Sequence, residues 1–208
     1  MSKYRRLSDK SHLLVSMMNG SRLTFLIQVF LAALLCSVVR IRGNEDLFVA
    51  VRADDSSAIA QAIDAGVDLN SIGSGGQTPL MHAVLTGKKK AVIELLQKGA
   101  DVTIGEKDGY TPMHGAGFQG RSEIAHVLVK HGLDPSDRHA DGYTPLHRAC
   151  WGREQRHTDT VHVLLMAGVS PLEESSSGQS PLEMAHNNPP TQALLRKWIE
   201  KEDHRTEL

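Results

Sequence analysis

Residues 144–149 read Thr-Pro-Leu-His-Arg-Ala, and residues 111–116, a step of 33 earlier, read Thr-Pro-Met-His-Gly-Ala. Thr78-Pro79-Leu80 lies another 33 residues before, and Ser180-Pro181-Leu182 lies 36 residues after Thr144. Gly66, Gly99, Gly132 and Gly168 keep the same count, with steps of 33, 33 and 36. Two separate landmarks with the same three-residue excess identify an internal repeat. At each T-P-L the Thr hydroxyl can accept from backbone N–H groups left free at a helix start. Pro in the first turn loses nothing there, because its missing N–H had no partner. Small residues follow (Ala83, Ala116, Gly117, Ala149, Cys150, Ala185) and let a neighbouring helix come close. The second segments, AVIELLQKG (91–99), EIAHVLVKHG (123–132) and TVHVLLMAG (160–168), have apolar residues at helical spacing and end in a glycine suited to a left-handed cap. Asp108-Gly109, Asp141-Gly142 and Ser177-Gly178 then reverse the chain into a projecting turn. One unit is therefore turn, helix, turn, helix.

On these residues the chain closely resembles ankyrin repeat proteins, whose units of about 33 residues are built around T-P-L-H-x-A. The resemblance covers about residues 44–202 and implies an all-α solenoid of stacked helix-turn-helix units. Expected boundaries are a degenerate N-capping unit at 44–70, repeats at 71–103, 104–136 and 137–172, and a C-capping unit with its tail at 173–208. The first unit keeps Gly66 but lacks T-P-L. In the last, Pro189 and Pro190 are expected to interrupt the second helix. Met81 and Glu183 stand where the family has His, so those two helices should hold their loop geometry less firmly. The three extra residues fall in WGREQRHTDT (151–160), read as a connector between two helices. With Trp151, Arg153, Glu154, Arg156 and His157 it is either a recognition loop or a harmless insertion with Trp151 on the inner helix.

The formal net charge of -1 hides an uneven split. Residues 1–43 carry seven basic groups and only Asp9, so the remainder is net acidic by seven. That sign, with Lys88-Lys89-Lys90 as the one basic run, argues against nucleic acid. Leu23–Val39 is seventeen residues without a charge, flanked by Arg22 and by Arg40 and Arg42. As a helix it would reach about 26 Å, short but usable for a bilayer core. Residues 1–22 are then a disordered basic tail and 23–43 a separate apolar helix, a transmembrane or signal segment. An uncleaved signal anchor fits best, because no small-residue cleavage site follows the run; a cleaved signal and a buried helix are the alternatives. The excess of Lys and Arg before the run favours a cytoplasmic amino terminus. Asn19-Gly20-Ser21 is a glycosylation sequon on the wrong side of the run to test this.

Eleven histidines invite a metal reading, yet none has a Cys/His ligand spacing, and the pairs His126/His131 and His157/His162 diverge on a helix. No metal or other cofactor is expected. The resemblance makes His114 and His147 structural, bonding within the turn and helix start. No G-x-S-x-G, H-E-x-x-H or phosphate loop is present, and a stacked solenoid offers a groove rather than a catalytic pocket, so an enzyme is not expected. From the resemblance, the concave face of turns and inner helices would carry Tyr110, Phe118, Gln119, Arg121, Tyr143, Arg148, Trp151 and Arg153 as protein-binding residues. Aromatics and Arg suit interface anchors. Tyr110 and Tyr143, each directly before T-P, have the alternative of packing on the adjacent turn. The reading is a protein-interaction scaffold, probed against two rivals: a secreted regulator of a target enzyme, and an enzyme that turns over a small-molecule substrate.

Overall fold

The computed structural model describes residues 28–31 and 43–206. Contacts divide the chain into Met1–Gly43 and Asn44–Leu208. In the first unit, residues 28–31 are helical and exposed. The rest of the apolar run Leu23–Val39 and the basic tail lie outside the described residues. Among the described residues no helix is long and apolar enough to cross a membrane.

The second unit contains helices and, among its described residues, no strand. Residues 43–53 form α1, followed by α2 (Ser56–Asp64), α3 (Pro79–Thr86), α4 (Lys89–Gln97), α5 (Pro112–Phe118) and α6 (Ser122–Lys130). Then come α7 (Pro145–Cys150), α8 (Gln155–Met166), α9 (Pro181–Met184), a 3-10 turn (Ala185–Asn187) and α10 (Pro189–Thr206). Helices α3, α5, α7 and α9 touch in that order, and α2, α4, α6, α8 and α10 form a second row behind them. One apolar core runs between the rows, with Leu80, Leu95, Met113, Leu128, Leu146 and Leu164 fully or almost fully buried. Each buried leucine stabilises the stack by roughly 1.5–3 kcal/mol, and much of that comes from the neighbouring unit rather than its own.

Local chemistry explains where the inner helices begin. Thr78 Oγ1 accepts from the Met81 N–H at 3.2 Å, and Ser180 Oγ from the Glu183 N–H at 3.3 Å. Glu183 reinforces the start of its own helix. Its carboxylate accepts from the Ser180 N–H at 2.8 Å and so closes a reciprocal capping box. At Thr144 the partner is His147, whose Nδ1 accepts from the Thr144 N–H at 3.2 Å. Thr111 departs from the pattern: its hydroxyl lies 2.9 Å from Asp137 Oδ2 and 2.9 Å from His114 Nδ1, and it caps no backbone N–H. The projecting turns share one geometry. Gly109 N donates to Glu106 O and Glu106 N to Tyr110 O, with Gly109 at φ +89°, where a Cβ would be strained.

Two expectations are corrected. The prolines at 189 and 190 do not interrupt a helix; they begin α10. The preceding inner helix ends in a 3-10 turn, and Asn188 Oδ1 accepts from the Thr191 N–H at 3.2 Å, so the prolines occupy the first turn, where their missing N–H groups have no helical partner. WGREQRHTDT is not a long loop either. Only 151–154 lie outside the helices, and Gln155 onward belongs to α8, which has 12 residues where α4 and α6 have 9. Most of the insertion is thus added helix. His157, counted in that segment, is buried: its Nε2 lies 3.3 Å from Phe118 O, and its ring covers Gly152, where an added Cβ would come within 1.9 Å of it.

Candidate functional site

The inner helices pack closely because Gly117 has no side chain: a Cβ there would stand 2.4 Å from Pro145 O. This approach brings the projecting turns and the ends of α5 and α7 into one cluster centred on Arg148. Arg148 is only 7% exposed although it carries a full charge. Its Nη2 donates to Asp141 Oδ2 at 2.7 Å and to the Tyr110 hydroxyl, which itself donates to the same carboxylate oxygen at 2.6 Å. The guanidinium carbon lies 4.3 Å from the Tyr110 ring centroid, 4.4 Å from Trp151 and 4.8 Å from Tyr143. A cation kept from water is thus compensated by one carboxylate and three aromatic faces.

Asp141 feels opposing influences. Burial would raise its pKa. Hydrogen bonds from the Tyr110 hydroxyl, from His139 and from the Tyr143 N–H, together with the Arg148 charge, outweigh burial and hold the carboxyl far below the usual range. Tyr110 moves the other way, its phenol raised by burial and by the adjacent Asp141. The Tyr110 ring also stacks on His139 at 3.9 Å, and His139 Nε2 donates to Asp108 O at 2.7 Å. Tyr143 repeats the pattern one unit later, donating its hydroxyl to Gln179 Oε1 at 2.6 Å. Both tyrosines therefore pack on the following turn and line the site as well.

His114 and His147 are ties between units. His147 Nε2 faces Gln179 O at 3.2 Å and His114 Nε2 faces Tyr143 O at 3.1 Å, each a carbonyl of the following turn. Such acceptors fix the Nε2–H tautomer, leaving Nδ1 to accept at the helix start. Burial lowers the pKa of both rings, partly opposed by those same carbonyls.

Beside Arg148 lies a concavity of about 210 Å³ lined by Leu85, Glu106, Asp108, Tyr110, Phe118 and Arg148, with Gly115 at its floor. Phe118 is 52% exposed there, and Trp151, at 43%, stands one unit further along. Of the residues singled out from sequence, Tyr110, Phe118, Tyr143, Arg148 and Trp151 are thus neighbours. Gln119 is the half-buried cap of α5, and Arg153 is exposed in the α7–α8 turn. Arg121 is placed elsewhere: its Nη2 donates to Leu85 O at 3.0 Å, and its guanidinium lies beside Gly87, linking α6 to the end of α3. Sequence reasoning missed Asp141, His139, Glu106, Asp108 and Leu85. The aspartates were read only as turn formers, although their common position before Gly, 33 residues apart, set them beside the tyrosines. Among the described residues no group of three or more His, Cys, Asp or Glu could hold a metal ion. Cys150 is buried and its thiol pushed far up by that burial.

A family model described as ankyrin repeats (3 copies) matches residues 47–139 and again 105–175. The chain belongs to the ankyrin repeat family. No curated protein matches it. Ankyrin repeats are protein–protein interaction modules, and the stacked units of this array present side chains along one face, as such modules do.

Proposed function

We propose that the array is a non-enzymatic adaptor that captures a protein partner on the face formed by its projecting turns and inner helices. The observation that carries this reading is the cluster around Arg148, where half-exposed Trp151 and Phe118 flank an arginine fixed by Asp141 and two tyrosines. Aromatic anchors held on a preorganised support lose little conformational freedom on binding. Tyr110, Phe118, Tyr143, Arg148 and Trp151 form the contact surface in this reading, with Gln119 and Arg153 at its margin and Arg121 left out of it. The apolar run at 23–39 supports attachment of the array to a membrane as a single-pass anchor.

Affinity capture with the full chain tests the first part. Replacing Trp151 and Arg153 together by Ala is expected to weaken partner capture while lowering the unfolding midpoint only by the ring lost from Arg148, the array staying folded at the assay temperature; undiminished capture removes the α7–α8 turn from the interface. Mass and fractionation test the second. An intact chain in the detergent phase supports the anchor, whereas a chain short by about forty residues identifies a secreted regulator instead. Protease protection in sealed vesicles then assigns the side on which the array lies.

A further inference from the structure

We infer that the concavity over Gly115 is a vacant seat for a guanidinium, and that it takes an arginine side chain of the bound partner; this rests on the partner-capture reading above. The repeat supplies its own comparison. Position 148 in one unit corresponds to position 115 in the unit before, and three of the walls correspond as well, Tyr143 to Tyr110, Trp151 to Phe118 and Asp141 to Asp108, while the fourth, Tyr110, has Gln77 as its counterpart. In the later unit those walls enclose the chain's own Arg148, with its guanidinium 4.8 Å from Tyr143, 4.4 Å from Trp151 and paired to Asp141 at 2.7 Å. In the earlier unit the side chain is missing, because residue 115 is Gly, and a cavity of about 210 Å³ stands in its place. That volume falls below the roughly 300 Å³ at which drug-sized ligand pockets begin, and suits one long side chain.

Charge selects the occupant. Glu106 and Asp108 line the cavity, and neither is in an ion pair with a described cation. Arg148 also reaches it, but its charge is met by Asp141. The uncompensated charge at the seat is therefore negative. Leu85 and Phe118 supply apolar contact for the methylene stem, and the exposed Phe118 ring supplies surface for the planar head, while Tyr110, already stacked on His139 and Arg148, forms a fixed edge of the seat. A guanidinium suits such a site better than an ammonium, because it is planar, weakly hydrated and stacks on rings.

The probe is a fluorescein-labelled synthetic peptide, Gly-Ala-Leu-Arg-Leu-Ala-Gly-amide, titrated into the full chain at low salt and followed by anisotropy. The same peptide with citrulline for Arg, neutral but nearly isosteric, is the control. Binding of the Arg peptide at least tenfold tighter than the citrulline peptide, and weakened at least fivefold by D108N and by F118A, is the expected result. Both variants alter exposed side chains, so their unfolding midpoints should match the parent. Gly115→Arg should fill the seat from within and abolish binding; the nearest atoms to its Cβ would be the flexible ends of Leu85 and Met81, at 3.2 and 3.3 Å, with Val84 in ordinary contact at 3.7 Å. Equal affinity for the two peptides, no binding up to millimolar concentration, or indifference to both D108N and F118A overturns the inference. Binding that strengthens when residues 1–22 are removed would assign the seat to the chain's own basic tail and overturn it too. A protein partner still captured through Trp151 while no arginine peptide binds would leave the proposed function in place and reject only this seat.

Discussion

Arg148 shows how a residue can be singled out from sequence while the contacts that hold it stay hidden. Sequence placed it on the binding face by resemblance, but its fixation depends on Tyr110, 38 residues earlier, and on Asp141, contacts that only the stacked geometry creates. Removing the guanidinium leaves Asp141 half-buried without its cation and three rings without their centre. R148A is expected to lower stability by roughly 2–3 kcal/mol, and R148M, which refills the space without charge, by less; chemical denaturation of the two variants measures the difference. Asp54 is a second residue whose job sequence did not disclose. It adopts φ +56°, rare for a residue with a side chain, at the position where later units have Gly87 and Gly120. Its carboxylate accepts from the Ala91 N–H at 2.8 Å, capping α4 of the next unit. Asp54→Gly relieves the backbone and loses that cap. The two effects should nearly cancel, whereas Asp54→Ala keeps the strain and loses the cap, costing about 1–2 kcal/mol by the same measurement.

Among the elements, the inner helices and their turns were legible because the signals that start them are local: a hydroxyl, a proline and a glycine at fixed offsets. The ends of helices governed by tertiary contact were not. α8 gains its extra amino-terminal turn because His157 finds a buried place against Gly120 and Gly152, a fit that no local propensity encodes. G152A should force that ring out and destabilise the array by roughly 1–3 kcal/mol, a loss that H157A introduced alongside should partly restore. At α10 the misreading concerned position rather than residue type, since a Pro pair reads as a breaker in mid-helix and as a start signal in the first turn. N188A, which deletes the cap, should cost about 1 kcal/mol, seen as a lower thermal midpoint with unchanged secondary structure in the native baseline.

At the scale of the molecule, the repeat period revealed the stack, but the cluster proposed as the binding face could be approached only by analogy, since it joins side chains from adjacent units. The same ties make stability depend on pH. The buried rings of His114 and His147 have pKa values lowered in the folded state, so below about pH 6.5 the unfolded chain takes up protons that the folded one does not. Stability should therefore fall as pH drops below that point, and fall again below about pH 4, where the unfolded chain binds a proton that Asp141 resists. Urea midpoints measured from pH 8 to pH 3 check both steps, and H147Q should blunt the first. The bonds that leave each turn for the next are denser in the later half of the array: Gln77 to Glu106 and Asp101 to Asn70 join the early turns, whereas Tyr110 to Asp141, Tyr143 to Gln179, Arg138 to Glu173 and the two histidines to carbonyls join the later ones. If the array were stretched between its first and last helices, as a tethered protein is when its cargo is hauled on, rupture would begin among the early units. The later half, where the binding surface is proposed, would remain clamped until the applied force broke those links together, giving one large step in an extension trace after smaller ones.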